Sequence, residues 1–238
     1  MRRFYSPNAD PETGTAVLSA EEADHLKVVL RMGPGDQIAV FDGEGFEYIC
    51  EIGELAKRGA ELKIISKVEP NRPESLLHLT LAASLLKSDR FELVIQKSVE
   101  LGVSRLIPII THRCESDAKR SEKKMVRWRK IIIEASKQCG RAKLMELCDA
   151  DSFDKAAKST QGPGIIFSEK NGEDLPDIDR PGSLTVFTGP EGGWEDSELK
   201  LAGDLGFYCV TLGGRILRAE TAAIIATGLI QHRFGDLR

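Results

Sequence analysis

The first third of the chain has the alternation of apolar and polar residues that is typical of short strands. Gln37–Phe41 and Phe46–Ile52 flank the turn Asp42-Gly43-Glu44-Gly45, and this arrangement predicts a β-hairpin. Glu61–Val68 has the same pattern and predicts a further strand. The pattern therefore predicts a small barrel at the N-terminal end.

This region also contains one predicted helix and ends in a predicted linker. Ser19 and Glu22 have the spacing of a capping box, which predicts a helix that begins there and runs to about Arg31. The segment 69–75 contains two prolines and no apolar residue, so it is the best predicted linker in the chain. We therefore predict two domains, residues 1–72 and residues 73–238.

After the linker, strand-like and helix-like segments alternate. The predicted strands are Leu77–Ala83, Arg105–Ile110, Gly164–Ser168, Leu184–Thr188 and Tyr208–Leu212. The predicted helices are Asp89–Leu101, Glu122–Gln138 and about Ala219–His232. In the first of these helices, Phe91, Ile95 and Val99 recur four residues apart, which indicates a core-facing side. Such alternation predicts an α/β domain with a largely parallel sheet.

Composition adds few constraints. The chain has 238 residues, with 41% hydrophobic and 29% charged, which is ordinary for a soluble globular protein. No apolar run is long enough to span a membrane, and the first residues lack the apolar core of a secretory signal, so we predict a cytoplasmic protein. The five cysteines and four histidines are scattered, which predicts free thiols and no protein-built metal site.

Charge is distributed unevenly along the chain. The net charge is −4, yet residues 119–143 hold ten basic and two acidic residues, a local charge of +8. Lysine and arginine clusters neutralise phosphates, so this segment is a candidate for nucleic-acid contact. A solvated helix face is the alternative explanation. Trp128 lies within the segment, and we expect it to be buried rather than to stack on a base.

Two glycine clusters are the best candidates for chemistry. Residues 189–194 read Gly-Pro-Glu-Gly-Gly-Trp, and residues 212–222 read Leu-Gly-Gly-Arg-Ile-Leu-Arg-Ala-Glu-Thr-Ala. Each cluster follows a strand-like run and precedes a helix-like run, where glycine lets a ligand approach the backbone closely. The patterns of a P-loop, a dinucleotide fingerprint and a serine-hydrolase elbow are absent. An adenosyl-type cofactor held by backbone groups fits this pattern, and two tight turns without a ligand are the alternative.

These motifs resemble those of the RsmE family, the 16S ribosomal RNA uridine N3-methyltransferases of the SPOUT superfamily. The resemblance extends to Lys87-x-x-Arg90, to Gln96-Lys97-x-x-Glu100-Leu101-Gly102-Val103, and to Glu134-Ala135-x-x-Gln138-Cys139-x-Arg141. His25 with Val29-Leu30-Arg31 resembles the N-terminal domain, so the resemblance covers nearly the whole chain. Gly214 stands where the family often has proline, and Trp194 where phenylalanine is commoner.

The resemblance implies a trefoil-knotted α/β domain with a parallel sheet, preceded by a small PUA-like β-barrel, in a homodimer. It implies S-adenosyl-L-methionine as cofactor and 16S rRNA in the small ribosomal subunit as partner, with no membrane and no metal. The implied cofactor-binding residues are Phe167, Ser168, Thr188, Gly189, Glu191, Gly192, Gly193, Leu212, Gly213, Ile216, Leu217, Thr221 and Ala222. The candidate RNA contacts are Arg2, Arg3, Arg31, Lys87, Arg90, Lys97, Arg113, Lys137, Gln138 and Arg141.

Arg218 and Glu220 are the candidate catalytic residues. When uracil N3 loses its proton, negative charge spreads onto the two flanking carbonyl oxygens, and a planar guanidinium suits that charge. We predict that Arg218 stabilises this anion, while Glu220 orients Arg218 or a water molecule, or accepts the proton. A structural ion pair between the two residues at the start of the last helix is the alternative.

Two rival functions remain open at the level of sequence. One is a SPOUT ribose 2′-O-methyltransferase, which would have to deprotonate a hydroxyl group. The other is a ribosome-assembly factor that binds rRNA without catalysis. The C-terminal motif argues against the first rival, and the intact glycine loops together with Arg218 and Glu220 argue against the second.

Overall fold

The computed structural model describes the whole chain except Lys57, Asn71, Ser88, residues 115–117 and Asn171, and it leaves out the side chains of 118–121. The chain forms two compact units. The first comprises residues 1–74 and 133–144, and the second comprises residues 75–132 and 145–238. The domain boundary after residue 72 remains a prediction. The structure adds that residues 133–144, which come much later in the chain, belong to the first unit.

The first unit contains a five-stranded sheet within its described residues, in the order β1-β3-β4-β5-β2. The strands are β1 (Arg3–Tyr5), β2 (Thr15–Ser19), β3 (Gln37–Phe41), β4 (Glu47–Ala56) and β5 (Gly59–Val68). β1 and β3 are parallel, and the other pairs are antiparallel. Residues from all five strands share one buried cluster, and two register shifts between β4 and β5 supply local curvature. The predicted hairpin is confirmed, with Phe41 opposite Glu47.

The predicted first helix has two parts. Helix α1 (Ala20–Asp24) begins where the Ser19 hydroxyl accepts a hydrogen bond from the Glu22 backbone N–H. It continues as a π-helical segment over His25–Val29, and Arg31 follows with a φ of 56°. The Glu22 carboxylate does not complete the capping box, because it accepts hydrogen bonds from Lys137. The Glu22 carboxylate, which the local spacing assigned to the start of the helix, therefore binds a residue that is distant in the sequence.

The second unit is built on a parallel sheet in the order β12-β10-β11-β6-β7-β8, with β9 beside β7, as far as the described residues extend. The strands are β6 (His78–Ser84), β7 (Arg105–Ile110), β8 (Glu146–Leu147), β9 (Asp151–Ser152), β10 (Gly164–Phe167), β11 (Ser183–Thr188) and β12 (Tyr208–Val210). Every pairing in this described sheet is parallel, which confirms the predicted α/β class.

The helices that follow β6 along the chain are α2 (Arg90–Glu100), α3 (Ala118–Cys139), α4 (Phe153–Lys158), α5 (Asp196–Asp204) and α6 (Ala219–Phe234). Helices α4, α5 and α6 pack on strands of this sheet, α2 packs on α6, and α3 begins in the second unit and ends in the first. Helices α4 and α5 contribute to the same buried cluster as Phe187 of β11. Helix α6 packs on β11 and on α2. Because every residue from Leu184 to Thr188 is buried, we place α6 on the face of β11 opposite to Phe187.

Several core predictions are confirmed. Phe91, Ile95 and Val99 are fully buried on α2, and Trp128 of α3 is buried against the Phe91 ring. Cys50 is buried and the other four cysteines are half-buried, and none of these five described cysteines forms a disulfide. Burial raises the pKa of the Cys50 thiol to about 11, so this thiol is protonated and unreactive near neutral pH. No described helix has both the length and the apolarity to cross a bilayer.

Candidate active site

Three neighbouring strands of the second unit end at the same level, and a cavity opens there. Phe167 at the end of β10 pairs with Thr188 of β11 on one side and with Val210 of β12 on the other. The carboxyl ends of parallel strands are the usual ligand-binding edge of an open α/β sheet. The cavity has a volume of about 540 Å³. Its size and position fit a cofactor or substrate of moderate size.

The residues around the cavity come from the three strand ends and from the residues that open α2 and α6. They are Arg90, Phe167, Ser168, Glu169, Gly189, Pro190, Glu191, Gly193, Trp194, Thr211, Leu212, Gly213, Gly214, Arg215, Ile216, Leu217, Arg218, Ala219 and Ala222. Both glycine clusters predicted from the sequence therefore contribute to one cavity.

The first glycine loop, residues 189–193, is packed tightly. A Cβ at Gly189 would lie 3.1 Å from the indole of Trp194, so glycine allows the ring to lie directly against the backbone. The indole Nε1–H donates a 2.8 Å hydrogen bond to the carbonyl of Phe167. At the outer side of the loop, Arg90 Nη1 contacts the Glu191 carboxylate at 3.2 Å. The loop is thus fixed to the end of β10 and touched by the first residue of α2.

The second glycine loop, residues 212–217, has a different character. Gly213 and Gly214 both have positive φ angles, 62° and 66°, and a Cβ at either position would meet nothing within 4 Å. Proline is locked near a φ of −65°, so proline at position 214 is incompatible with this backbone. Arg215 and Arg218 are exposed, and Ile216 has 87% of its surface exposed. This loop reaches the cavity with little packing around it.

Comparison with known proteins supports a single family. The model of an RNA methyltransferase domain matches residues 72–231, and the model of an RNA methyltransferase PUA domain matches residues 18–65. The ribosomal RNA small subunit methyltransferase E of Bacillus subtilis is 32% identical, with 100% of this chain and 99% of the relative covered. The protein of the same name from Synechocystis is 34% identical over 91% of this chain and 72% of the relative.

This chain belongs to the ribosomal RNA small subunit methyltransferase E family. A crystal structure of the family member from Neisseria gonorrhoeae, bound to S-adenosyl methionine, matches with a TM-score of 0.90 at 35% identity, covering 100% of both chains. A methyltransferase from Legionella pneumophila in complex with the same cofactor matches with a TM-score of 0.89 at 37% identity, covering 99% of this chain and 98% of the other. The family resemblance and the α/β fold with a PUA-like domain are thereby confirmed.

The structure brings most predicted cofactor residues of this family member to the cavity. Those that line it are Phe167, Ser168, Gly189, Glu191, Gly193, Leu212, Gly213, Ile216, Leu217 and Ala222. Three others are placed differently: Thr188 is buried at the end of β11, Gly192 packs against Arg113, and Thr221 is exposed on α6. Sequence reasoning did not single out Glu169, Thr211 or Trp194 as lining residues. Their position directly after a strand or a glycine loop is the signal that could have found them.

The two candidate catalytic residues occupy different environments. Arg218 is the N-cap residue of α6, is exposed, and lines the cavity. Glu220 is buried in the first turn of α6, and its Oε2 has no hydrogen-bond partner among the described residues. The positive end of the helix dipole stabilises a carboxylate at this position. Within the described residues no ion pair joins Arg218 to Glu220, so the guanidinium of Arg218 is available to a ligand.

Three of the predicted RNA contacts in the first unit lie inside the protein. Arg3 forms a buried ion pair with Glu47 and donates to the carbonyls of Ser136 and Arg141. Arg141 is buried against Glu74 at 2.6 Å. These contacts stabilise the fold. A buried guanidinium that is already paired with a carboxylate cannot also bind an RNA phosphate. RNA contact at these two positions is therefore not supported by their placement.

Lys137 is the third of these inward-facing residues, and it bridges Glu22 and Glu134. Burial alone would lower the pKa of Lys137, but the hydrogen bonds and charges of its two carboxylate partners outweigh burial, and the net shift is upward. The ammonium therefore stays charged and committed to these partners.

The remaining predicted RNA contacts are at the surface. Arg2, Arg31 and Gln138 are exposed in the first unit, and Lys87, Arg90 and Arg113 are exposed in the second. Lys97 is half-buried and pairs with Glu100 at 2.8 Å. Of the basic cluster, the side chains of Lys119 and Arg120 lie outside the described residues, while Arg127 pairs with Glu92.

Proposed function

We propose that this protein transfers a methyl group from S-adenosyl-L-methionine to N3 of a specific uridine in the 16S rRNA of the small ribosomal subunit. One observation carries the proposal: two glycine loops and the Arg218 side chain line one cavity at the carboxyl ends of β10, β11 and β12. The family membership and the cofactor named for two similar structures support the same conclusion.

The residues present fit S-adenosylmethionine. The cavity is lined by glycine backbone, by apolar side chains such as Phe167 and Leu217, and by two carboxylates, Glu169 and Glu191. Backbone amides and carbonyls suit an adenine and its ribose, and apolar walls suit the ring. The Glu169 carboxylate suits a positively charged amino group or sulfonium, whereas Glu191 already faces Arg90. When bound, the cofactor supplies an electrophilic methyl group. We propose that the lining residues of both loops hold it.

Arg218 is the group that we assign to the developing anion. The neutral uracil N3 carries a proton and is a poor nucleophile, so loss of that proton must be stabilised. Arg218 is exposed, lines the cavity and has no ion-pair partner among the described residues, so its planar donors can face the two carbonyl oxygens of the base. We assign to Glu220 the orienting of Arg218 or a water, because its Oε2 has no partner among the described residues and lies in the first turn of α6, two residues after Arg218.

The chemistry also defines the state of the RNA. N3 lies on the base-pairing edge, so the target base must be unpaired or flipped out of its helix. Exposed basic side chains on both units, among them Arg2, Arg31 and Lys87, are the proposed contacts to the RNA backbone. The protein itself then recognises shape and phosphates, while the cavity recognises the base.

We further propose that the protein is a cytoplasmic homodimer with the trefoil knot of its superfamily. Helix α6 carries two exposed apolar side chains, Ile225 and Leu229, four residues apart on one side. A second copy of the chain would remove them from water. Light scattering of the purified protein measures its oligomeric state, and a monomeric mass would contradict the dimer.

The central test compares small-subunit rRNA from a deletion strain, from its parent and from strains that express the wild-type protein or Arg218→Ala. We expect N3-methyluridine at one site in the parent, its absence in the deletion strain, and its return with wild type only. Mass spectrometry of the nucleosides provides the measurement. Loss of a 2′-O-methylated nucleoside instead would identify a ribose methyltransferase, and unchanged nucleosides would indicate a binding protein without catalysis.

A further inference from the structure

The first glycine loop has an internal backbone hydrogen bond, from the Gly193 N–H to the Pro190 carbonyl at 3.0 Å, but its composition favours flexibility. Three of the five residues from Gly189 to Gly193 are glycine, and Gly193 has a φ of 69°. Glycine loses more conformational freedom on ordering than any other residue, so a loop of this composition requires restraints from outside. The residues that supply those restraints decide whether the wall of the cavity is ready for a ligand.

One restraint comes from the segment that follows β7. The Arg113 Nε lies 2.6 Å from the Glu195 carboxylate, and its Nη1 donates a 3.1 Å hydrogen bond to the carbonyl of Gly192. The two backbones also come close together, because a Cβ at Gly192 would lie 3.1 Å from the Cβ of Arg113. The fork of the guanidinium therefore holds both the last part of the loop and the start of the segment that leads into α5.

A second restraint is a side chain of α5 that binds the backbone of the segment after β7. Glu198 of α5 is almost fully buried, and its Oε1 accepts a 3.0 Å hydrogen bond from the backbone N–H of His112. Its Oε2 accepts a 2.8 Å hydrogen bond from the backbone N–H of Glu195. In the part of the chain that the structure describes, three hydrogen bonds thus join residues 112–113 to residues 192–198, and the Glu195–Glu198 bond fixes the second of these segments internally.

We propose that Arg113 is a positioning residue for the cofactor and not a contact to RNA phosphate. This inference rests on the proposed function, since Arg113 holds the loop whose residues Gly189, Glu191 and Gly193 line the same cavity. The Arg113–Glu195 pair is exposed, at 41% and 42%, so its direct contribution to folding stability is small. Its effect falls on the geometry of the loop, and therefore on affinity for S-adenosylmethionine.

The test compares Arg113→Ala and Arg113→Lys with Arg105→Ala as matched control. Arg105 is equally exposed at 43%, forms an ion pair with Glu146, and does not line the cavity. Calorimetry with S-adenosylmethionine alone, and separately binding of purified small ribosomal subunits, are measured for each variant. Thermal unfolding confirms that every variant is folded.

Lysine distinguishes the two roles of Arg113, because it keeps the charge that a phosphate needs but lacks the planar fork that reaches Gly192 and Glu195 together. For a positioning role we expect both variants to bind S-adenosylmethionine roughly tenfold more weakly, as loss of charge-assisted hydrogen bonds predicts. Their KM for the cofactor rises while kcat changes little, binding of subunits is unchanged, and Arg105→Ala resembles wild type.

Two results overturn the inference in different ways. If Arg113→Ala binds the cofactor like wild type, or if Arg113→Lys restores full affinity, the guanidinium fork does not position the loop. Weaker binding of subunits with intact cofactor affinity would show instead that Arg113 contacts RNA. Wild-type protein that binds no S-adenosylmethionine would refute the proposed function itself, and this arm separates the two failures.

Discussion

The two glycine loops follow β11 and β12, the strands on either side of β10, and line one cavity, yet they are held very differently. In the loop at 189–193, the Trp194 indole packs against Gly189 and the Arg113 guanidinium binds the Gly192 carbonyl. Just after the loop, the buried Glu198 carboxylate accepts a hydrogen bond from the Glu195 N–H. The loop at 212–217 has two successive glycines with positive φ, open space around them, and one described side-chain hydrogen bond, from the Gly213 N–H to the Thr211 hydroxyl.

The two loops differ in the step at which they lose conformational entropy. The first loop is ordered by contacts that form during folding, so a ligand finds that wall prepared. We expect the second loop to gain further contacts when a ligand occupies the cavity, which would suit the segment that leads to the proposed catalytic arginine. Changes in the first loop should therefore affect stability and cofactor affinity together, and changes in the second should affect turnover or affinity without affecting stability.

The largest effect is expected for Arg218→Ala on the second loop. Loss of a group that stabilises charge in the transition state lowers kcat by about 100- to 1000-fold. Cofactor affinity and unfolding temperature stay near wild type, because the side chain is exposed and lacks a described ion-pair partner. Methyl transfer to small subunits provides the measurement, and Arg215→Ala on the same loop reports the effect of losing a different positive charge beside the cavity. Equal losses in the two variants would argue for a general contribution of positive charge.

Gly189→Ala is expected to have the next largest effect. The new Cβ would approach the Trp194 ring to 3.1 Å, and the ring cannot move easily because it is buried and donates to the Phe167 carbonyl. Overpacking of this kind costs about 1–3 kcal/mol in the free energy of unfolding. Urea denaturation measures it, and calorimetry should show weaker binding of S-adenosylmethionine. An unchanged midpoint would mean that the first loop yields as readily as the second.

Gly214→Ala tests the second loop by the same substitution. Here the Cβ would meet no atom within 4 Å, and the cost is conformational, because a φ of 66° is unfavourable for alanine. A cost of about 1 kcal/mol corresponds to roughly fivefold weaker cofactor binding. We expect the free energy of unfolding to stay at the wild-type value, since the loop can relax when the cavity is empty. A loss of stability as large as that of Gly189→Ala would remove the distinction between the loops.

The smallest effect is expected for Glu191→Gln on the outer side of the first loop. It removes the charge that faces Arg90 in a half-exposed ion pair, and such pairs contribute about 0–1 kcal/mol. Cofactor affinity should change less than in Arg113→Ala, and the change should shrink further in high salt. A loss greater than that of Arg113→Ala would shift the main restraint of the loop from Arg113 to Arg90.

Much of the framework was accessible from periodicity and spacing. The strand Arg105–Ile110 and the core side of α2 follow directly from the apolar pattern, and the start of α1 from Ser19. The short elements were not predicted: β8, β9 and α4 have too few residues for a repeating pattern, and tertiary contacts decide their structure. Helix α5 was missed although Glu195 and Glu198 complete a capping box there.

What the sequence determined by itself is the alternating α/β pattern, the two glycine loops and the family, because these depend on neighbours a few residues apart. What only the tertiary structure decided is the partner of each charged side chain. Arg3, Arg113 and Arg141 look alike in the sequence, but their carboxylates lie 44, 82 and 67 residues away. A charge is committed by whatever the fold brings within hydrogen-bonding distance, and no local pattern encodes that distance.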